Sequence, residues 1–215
     1  MALTSDHTIT RKEGGVSAAP VAAAATIHHG ALVNLNASGY AKPASDGAGE
    51  KFAGLARARA DNASGANGAL NVELFTSAVA LMAAAGMTQA DAGEEAYVVD
   101  DATVGRGIAA QPVNVTGVAL TRIAATRGGA YTLAFTATGT LLAYGGGTGV
   151  NVGAGGTFTL NAADGSQILA TVTAGSLPGQ DKSDNLTLRR VRAGVIEEVV
   201  SATQVYVDLA GAARR

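Results

Sequence analysis

The stretch Leu70-Asn-Val-Glu-Leu74 places an apolar residue at every second position. That period buries one face of an extended chain and turns Asn71 and Glu73 outward, so the segment reads as a β-strand resting on a core. The same alternation returns at Tyr131, Leu133 and Phe135, at Phe158 and Leu160, at Leu186 and Leu188, and at Val205, Val207 and Leu209. Between these runs stand Gly, Asn, Asp and Ser at the spacing of turns, and Asn36-Ala-Ser-Gly39 is one of them. The sequence therefore predicts an all-β fold.

Two places depart from simple alternation. Val113 and Val115 share one parity while Val118 and Leu120 take the other, which predicts a β-bulge at Gly117 that restores the buried face. Residues 77–86 are rich in alanine; helix propensity, Ser77 as a cap and Gly86 as a stop predict one short helix there.

The organisation expected from these patterns has four parts. Residues 1–15 are polar, lack periodicity and end in Gly14-Gly15, so they form an extended arm. Residues 16–140 form the main β domain. Residues 141–156 hold the clusters Gly145-Gly-Gly-Thr-Gly149 and Gly153-Ala-Gly-Gly156 and read as a linker. Residues 157–215 make a small additional β domain.

Composition narrows the chemistry. The 215 residues are 47% hydrophobic, enough for a real core, yet only 15% charged and 4% aromatic, with 29 glycines. No cysteine or tryptophan is present, which removes disulfides, thiolate metal sites, cysteine nucleophiles and a tryptophan stacking platform. A formal net charge of −2 supplies no global attraction to nucleic acid or anionic membrane. The alanine-weighted run from Val16 to Ile27 is broken by Pro20 and preceded by Asp6 and Glu13, which argues against a secretory signal. His28 and His29 end that run well short of a membrane helix, so a soluble chain with a protein partner is expected.

Chemical motifs are sparse. The glycine clusters have no following Lys, miss the dinucleotide spacing, and lead into Thr157-Phe-Thr-Leu160, a strand pattern rather than a helix. His28 and His29 are adjacent and would point to opposite strand faces. Three copies of one histidine around a trimer axis could gather a metal or sense pH, but a turn or interface histidine is the simpler reading. Glu94-Glu95, Asp100-Asp101 and Glu197-Glu198 are neighbours in sequence, typical of solvated faces, and Asp100 is placed to cap its own turn. No serine lies in a Gly-x-Ser-x-Gly elbow. Arg189-Arg190-Val-Arg192 reads as a salt-bridging surface, and the four Asn-x-Ser/Thr triplets carry little weight without a secretory signal. An enzyme is not predicted, and neither a cofactor nor a metal.

Several stretches resemble, in order, the capsid decoration (cement, head-stabilising) proteins of tailed phages. They are Thr26-Ile-His-His-Gly-Ala-Leu-Val-Asn-Leu-Asn-Ala-Ser-Gly-Tyr-Ala-Lys-Pro43, Lys51-Phe-Ala-Gly-Leu-Ala56, Ala96-Tyr-Val-Val-Asp-Asp-Ala-Thr-Val104, Val118-Ala-Leu-Thr-Arg-Ile123 and Ala130-Tyr-Thr-Leu-Ala-Phe135. The resemblance covers residues 8–136 and not the last third. It implies a β-barrel or β-tulip-like domain that is made in the bacterial host cytoplasm. It further implies a homotrimer on the outer surface of the virion head, near three-fold positions, bound to the major capsid protein, with no nucleic acid, membrane or cofactor. In that setting Ile9, Arg11 and Lys12 of the arm are the expected capsid or inter-protomer contacts, by addition of a strand to an exposed edge. Competing readings are a head-fibre or tail-tube protein, which would form rings or tubes unaided, and a carbohydrate-binding module, which would need an exposed aromatic platform.

Overall fold

The computed structural model describes residues 15–109, 111–122 and 129–210. The described chain is almost entirely β, with one 3-10 turn at Gln89–Asp91. The first half contains β1 (Val16–Pro20), β2 (Ala25–Ile27), β3 (Leu32–Leu35), β4 (Ala41–Pro43), β5 (Lys51–Ala56), β6 (Ala60–Asn62) and β7 (Asn71–Phe75). Next come β8 (Val79–Ala85), β9 (Glu95–Val98) and β10 (Thr103–Gly105). Then follow β11 (Val118–Arg122), β12 (Gly129–Thr136), β13 (Leu141–Tyr144), β14 (Val150–Asn151), β15 (Gly156–Asn161), β16 (Gln167–Val172) and β17 (Lys182–Leu188). The last two are β18 (Arg192–Ser201) and β19 (Gln204–Asp208).

The alternating stretch at residues 70–74 becomes β7, with Val72 and Leu74 buried and Asn71 and Glu73 exposed. It lies in a sheet of order β1-β7-β5-β3-β4, beside the β2-β6 ribbon. Val21, Ile27, Val33, Ala41, Val72 and Leu74 form one apolar core here. A bulge sits where β5 passes β3, between the pairs Val33–Gly54 and Asn34–Phe52. Gly54 makes it possible: its φ is +146°, and a Cβ would come 2.4 Å from the Phe75 carbonyl oxygen. Gly54→Ala is expected to cost about 2 kcal/mol or more, read as a lower urea midpoint with unchanged slope.

The second body is a closed barrel of order β10-β8-β19-β18-β9. Met82, Ala84, Ala96, Val98, Val104, Ile196, Val205 and Val207 fill it, and Leu32 and Phe52 join that core from the first sheet. The helix expected over 77–86 is not formed, because that segment is β8. Alanine propensity yields to tertiary pairing: β8 lies antiparallel to β19 and parallel to β10, and the barrel has room for small inward residues such as Ala84. Gly86 serves a turn with φ +66° and Ser77 caps no helix.

The third body is inserted between β10 and β18. Its two sheets, β11-β16-β15 and β14-β13-β12-β17, sandwich Leu133, Phe135, Leu142, Tyr144, Leu160, Ile168, Leu186 and Leu188. The expected linker at 141–156 is thus part of a sandwich: it carries β13 and β14, and β12 before it pairs with β17 after it. Its glycines serve close approach, since a Cβ on Gly147 would stand 1.7 Å from the Asn161 carbonyl oxygen. The bulge expected at Gly117 is likewise a turn with φ +71° leading into β11; Val113 and Val115 precede it outside any strand. The stretch 157–215, expected as a small additional domain, is divided between the two bodies: β15, β16 and β17 belong to the sandwich, and β18 and β19 complete the barrel.

Candidate interaction surface

Inward pointing of Met82, Ala84, Val205 and Val207 sends their odd and even neighbours outward. The outer wall of the barrel therefore shows Val79, Leu81, Ala83 and Tyr206, with Leu81 directly opposite Tyr206 across the β8–β19 ladder. Val79 is 58% exposed, Leu81 48% and Tyr206 37%, and β8 carries no charged side chain. Val200 is also exposed, at the β18 bulge. Glu198, opposite Tyr206, and Glu197 rim this patch with negative charge. A strand apolar on both parities is ordinarily covered on both faces. Contiguous exposed apolar groups with a polar rim mark an association surface.

A concavity of about 450 Å³ lies where the barrel meets the sandwich, lined by Asp91, Glu94, Tyr97, Arg106, Gln111 and Leu120 among others. Its arginine is already paired. Arg106 Nε and Nη2 each donate to Asp91 at 2.7 Å, and Asp91 Oδ2 also accepts from the Thr88 N–H and hydroxyl. Burial pushes the Asp91 carboxyl up, but the bonds from Arg106 and Thr88 outweigh it and hold the carboxyl below its ordinary value. Arg106 is correspondingly held more basic, Asp91 being the main cause. The pair works as a strut at the joint rather than as an acid and a base.

The expected motifs fall as follows. His28 and His29 are exposed in the turn after β2, not on a strand. Among the described residues no group of three or more His, Cys, Asp or Glu side chains is placed to hold a metal ion. Asp100 Oδ1 accepts the Ala102 N–H at 2.9 Å, the turn cap the sequence suggests, and Asn36 likewise accepts from Ser38 and Tyr40. The arginine cluster is a salt-bridging crossing between sandwich and barrel: Arg189 donates to the Arg106 carbonyl, Arg190 contacts Asp46, and Arg192 lies 2.8 Å from Glu95. Asp46 additionally accepts the Arg190 and Val191 backbone N–H groups, fastening the loop after β4 to this crossing. The glycine clusters form turns, and β15 follows them. Ile9, Arg11 and Lys12 lie outside the described residues.

The outer barrel patch was not among the expected contacts. Its signal was present in Val79-Ala-Leu-Met82, where apolar residues occupy both parities once the segment is a strand. No described helix is long and apolar enough to cross a membrane. Comparison of the chain with protein-family models, curated proteins and solved structures gives no match in any of the three.

Proposed function

We propose that this chain is a decoration protein of a tailed-phage head, binding the outer surface of the assembled shell as a homotrimer near three-fold positions. Its partners in this reading are the major capsid protein and its own copies. It acts without catalysis or a cofactor, and it resides on the virion after synthesis in the host cytoplasm. The observation that carries the reading is the apolar outer wall of β8 and its neighbour Tyr206 of β19 on a closed barrel, an association surface that joins the sequence resemblance over residues 8–136. A protein that binds the assembled lattice and not its dissociated subunits stabilises the shell by mass action, and several modest contacts per trimer multiply.

Purified protein mixed with bare heads is expected to add density at the lattice three-folds in electron micrographs and to raise the temperature at which heads rupture. Heads left bare, with a monomer in solution, would overturn the reading. Rings or tubes formed without heads would favour a tail-tube or fibre component.

A further inference from the structure

The patch on β8 coincides with an open strand edge. The Leu209 N–H donates to the Ala78 carbonyl at 2.9 Å, and the Ala84 N–H to the Thr203 carbonyl at 2.8 Å. In an antiparallel ladder these bonds fix the even-numbered residues 78, 80, 82 and 84 as the ones that face β19. Val79 and Leu81 therefore turn their N–H and C=O groups to the opposite side. On that side β10 pairs with β8 at Ala83, Ala84 and Ala85, and β5 pairs with β7 no farther along than Phe75. Among the described residues no strand closes the interval at 77–82. Backbone that is unpaired among the described residues and flanked by exposed Val79 and Leu81, with neither Lys nor Pro on the strand, is a template for an added strand.

We infer that this interval receives the N-terminal segment, residues 1–14, of a second copy of the chain. The inference rests on the self-association in the proposed function and assigns it a surface. Two observations select that occupant. The described chain starts at Gly15, whose carbonyl accepts the Thr76 N–H at 2.8 Å and which lies against Ser77, at the same corner as the open edge. Fourteen extended residues reach about 45 Å, enough to span to a neighbour.

Thr76 bonds Gly15 on the even side, and from Ala78 onward β19 occupies that side. The free groups of Val79 and Leu81 face the other way. An arm of one copy on the edge of another is a head-to-tail contact, the kind that generates a ring when its rotation closes.

Because the chain has no cysteine, single-cysteine variants test the exchange directly. Ile9→Cys or Thr10→Cys protein, the two covering either register, is mixed with Leu81→Cys protein and oxidised. Disulfide-linked pairs of one arm variant and one Leu81→Cys chain, identified by mass spectrometry, are expected. Absence of such pairs, or a bond that closes only within one chain carrying both cysteines, overturns the inference. Leu81→Lys, on an exposed side chain, is expected to unfold at the wild-type temperature while weakening self-association on the order of tenfold or more by sedimentation. Unchanged association would also overturn it. Wild-type binding to bare heads, measured separately, distinguishes the outcomes: heads bound without cross-links removes this surface alone, and cross-links without head binding removes the capsid role alone.

Discussion

Asp184→Ala is expected to lower the stability of the sandwich by about 2–3 kcal/mol, because it strands buried donors rather than trimming a surface. Asp184 is 7% exposed on β17 and accepts the Val115 N–H at 2.7 Å and the Asn114 N–H at 3.0 Å, with the Asn114 amide at 3.0 Å as well. It ties the whole approach to β11 onto the opposite sheet. Desolvation pushes its carboxyl up, but the backbone donors of Val115, Asn114 and Val113 outweigh that and hold it below the ordinary value. A depressed folded-state pKa means that the stabilisation is present above the unfolded value of about 3.9 and is lost as pH falls through the folded one. Urea titrations at pH 7 and pH 3 should show the gap between wild type and Asp184→Ala narrowing in acid. Asp181→Ala, which removes one exposed acceptor of the Ala137 N–H, should change little at either pH. A wild-type-like midpoint for Asp184→Ala at pH 7 would contradict this role.

Excision of the entire sandwich should leave the barrel folded. The Arg189 N–H donates to the Gly107 carbonyl at 2.8 Å, and Ile108 and Leu188 form an antiparallel bridge, so the chain enters and leaves the sandwich side by side. Replacing residues 109–187 with an Asn-Gly turn converts that neck into a hairpin. The shortened chain is expected to unfold cooperatively with a loss of about 1–2 kcal/mol, the worth of the few bonds at the neck. A product without β circular dichroism or a cooperative transition would show that barrel and sandwich are one folding unit.

Strand identity was legible wherever side chains alternate. The stretches around Leu70, Tyr131, Phe158, Leu186 and Val205 all fall on strands, since period-two burial is a local property. What sequence could not show is which strands share a sheet. β8 and β19 pair across more than a hundred positions, and the pairing overrides the helix preference of Val79-Ala-Leu-Met-Ala-Ala-Ala85. The glycine clusters misled for a related reason. Gly147 is required by the proximity of Asn161, a contact invisible before the fold is known, so spacing alone suggested freedom where there is crowding. Of the site, the arm residues Ile9, Arg11 and Lys12, expected to add a strand to an exposed edge, lie outside the described residues. The patch at Leu81 and Tyr206 emerges only when both strands are placed in one wall.

The insertion also dictates a schedule of assembly on the ribosome. β8, β9 and β10 emerge early but cannot seal their barrel, because β18 and β19 are translated only after the whole sandwich. Until then Met82, Val98 and Val104 lack the strands that cover them. The sandwich, whose seven strands are contiguous in sequence, can complete its own sheets meanwhile and bring its two ends together at Gly107 and Arg189. A pause or truncation between β17 and β18 would thus release a nascent chain with one finished module and one sticky half-barrel, the species most in need of a chaperone.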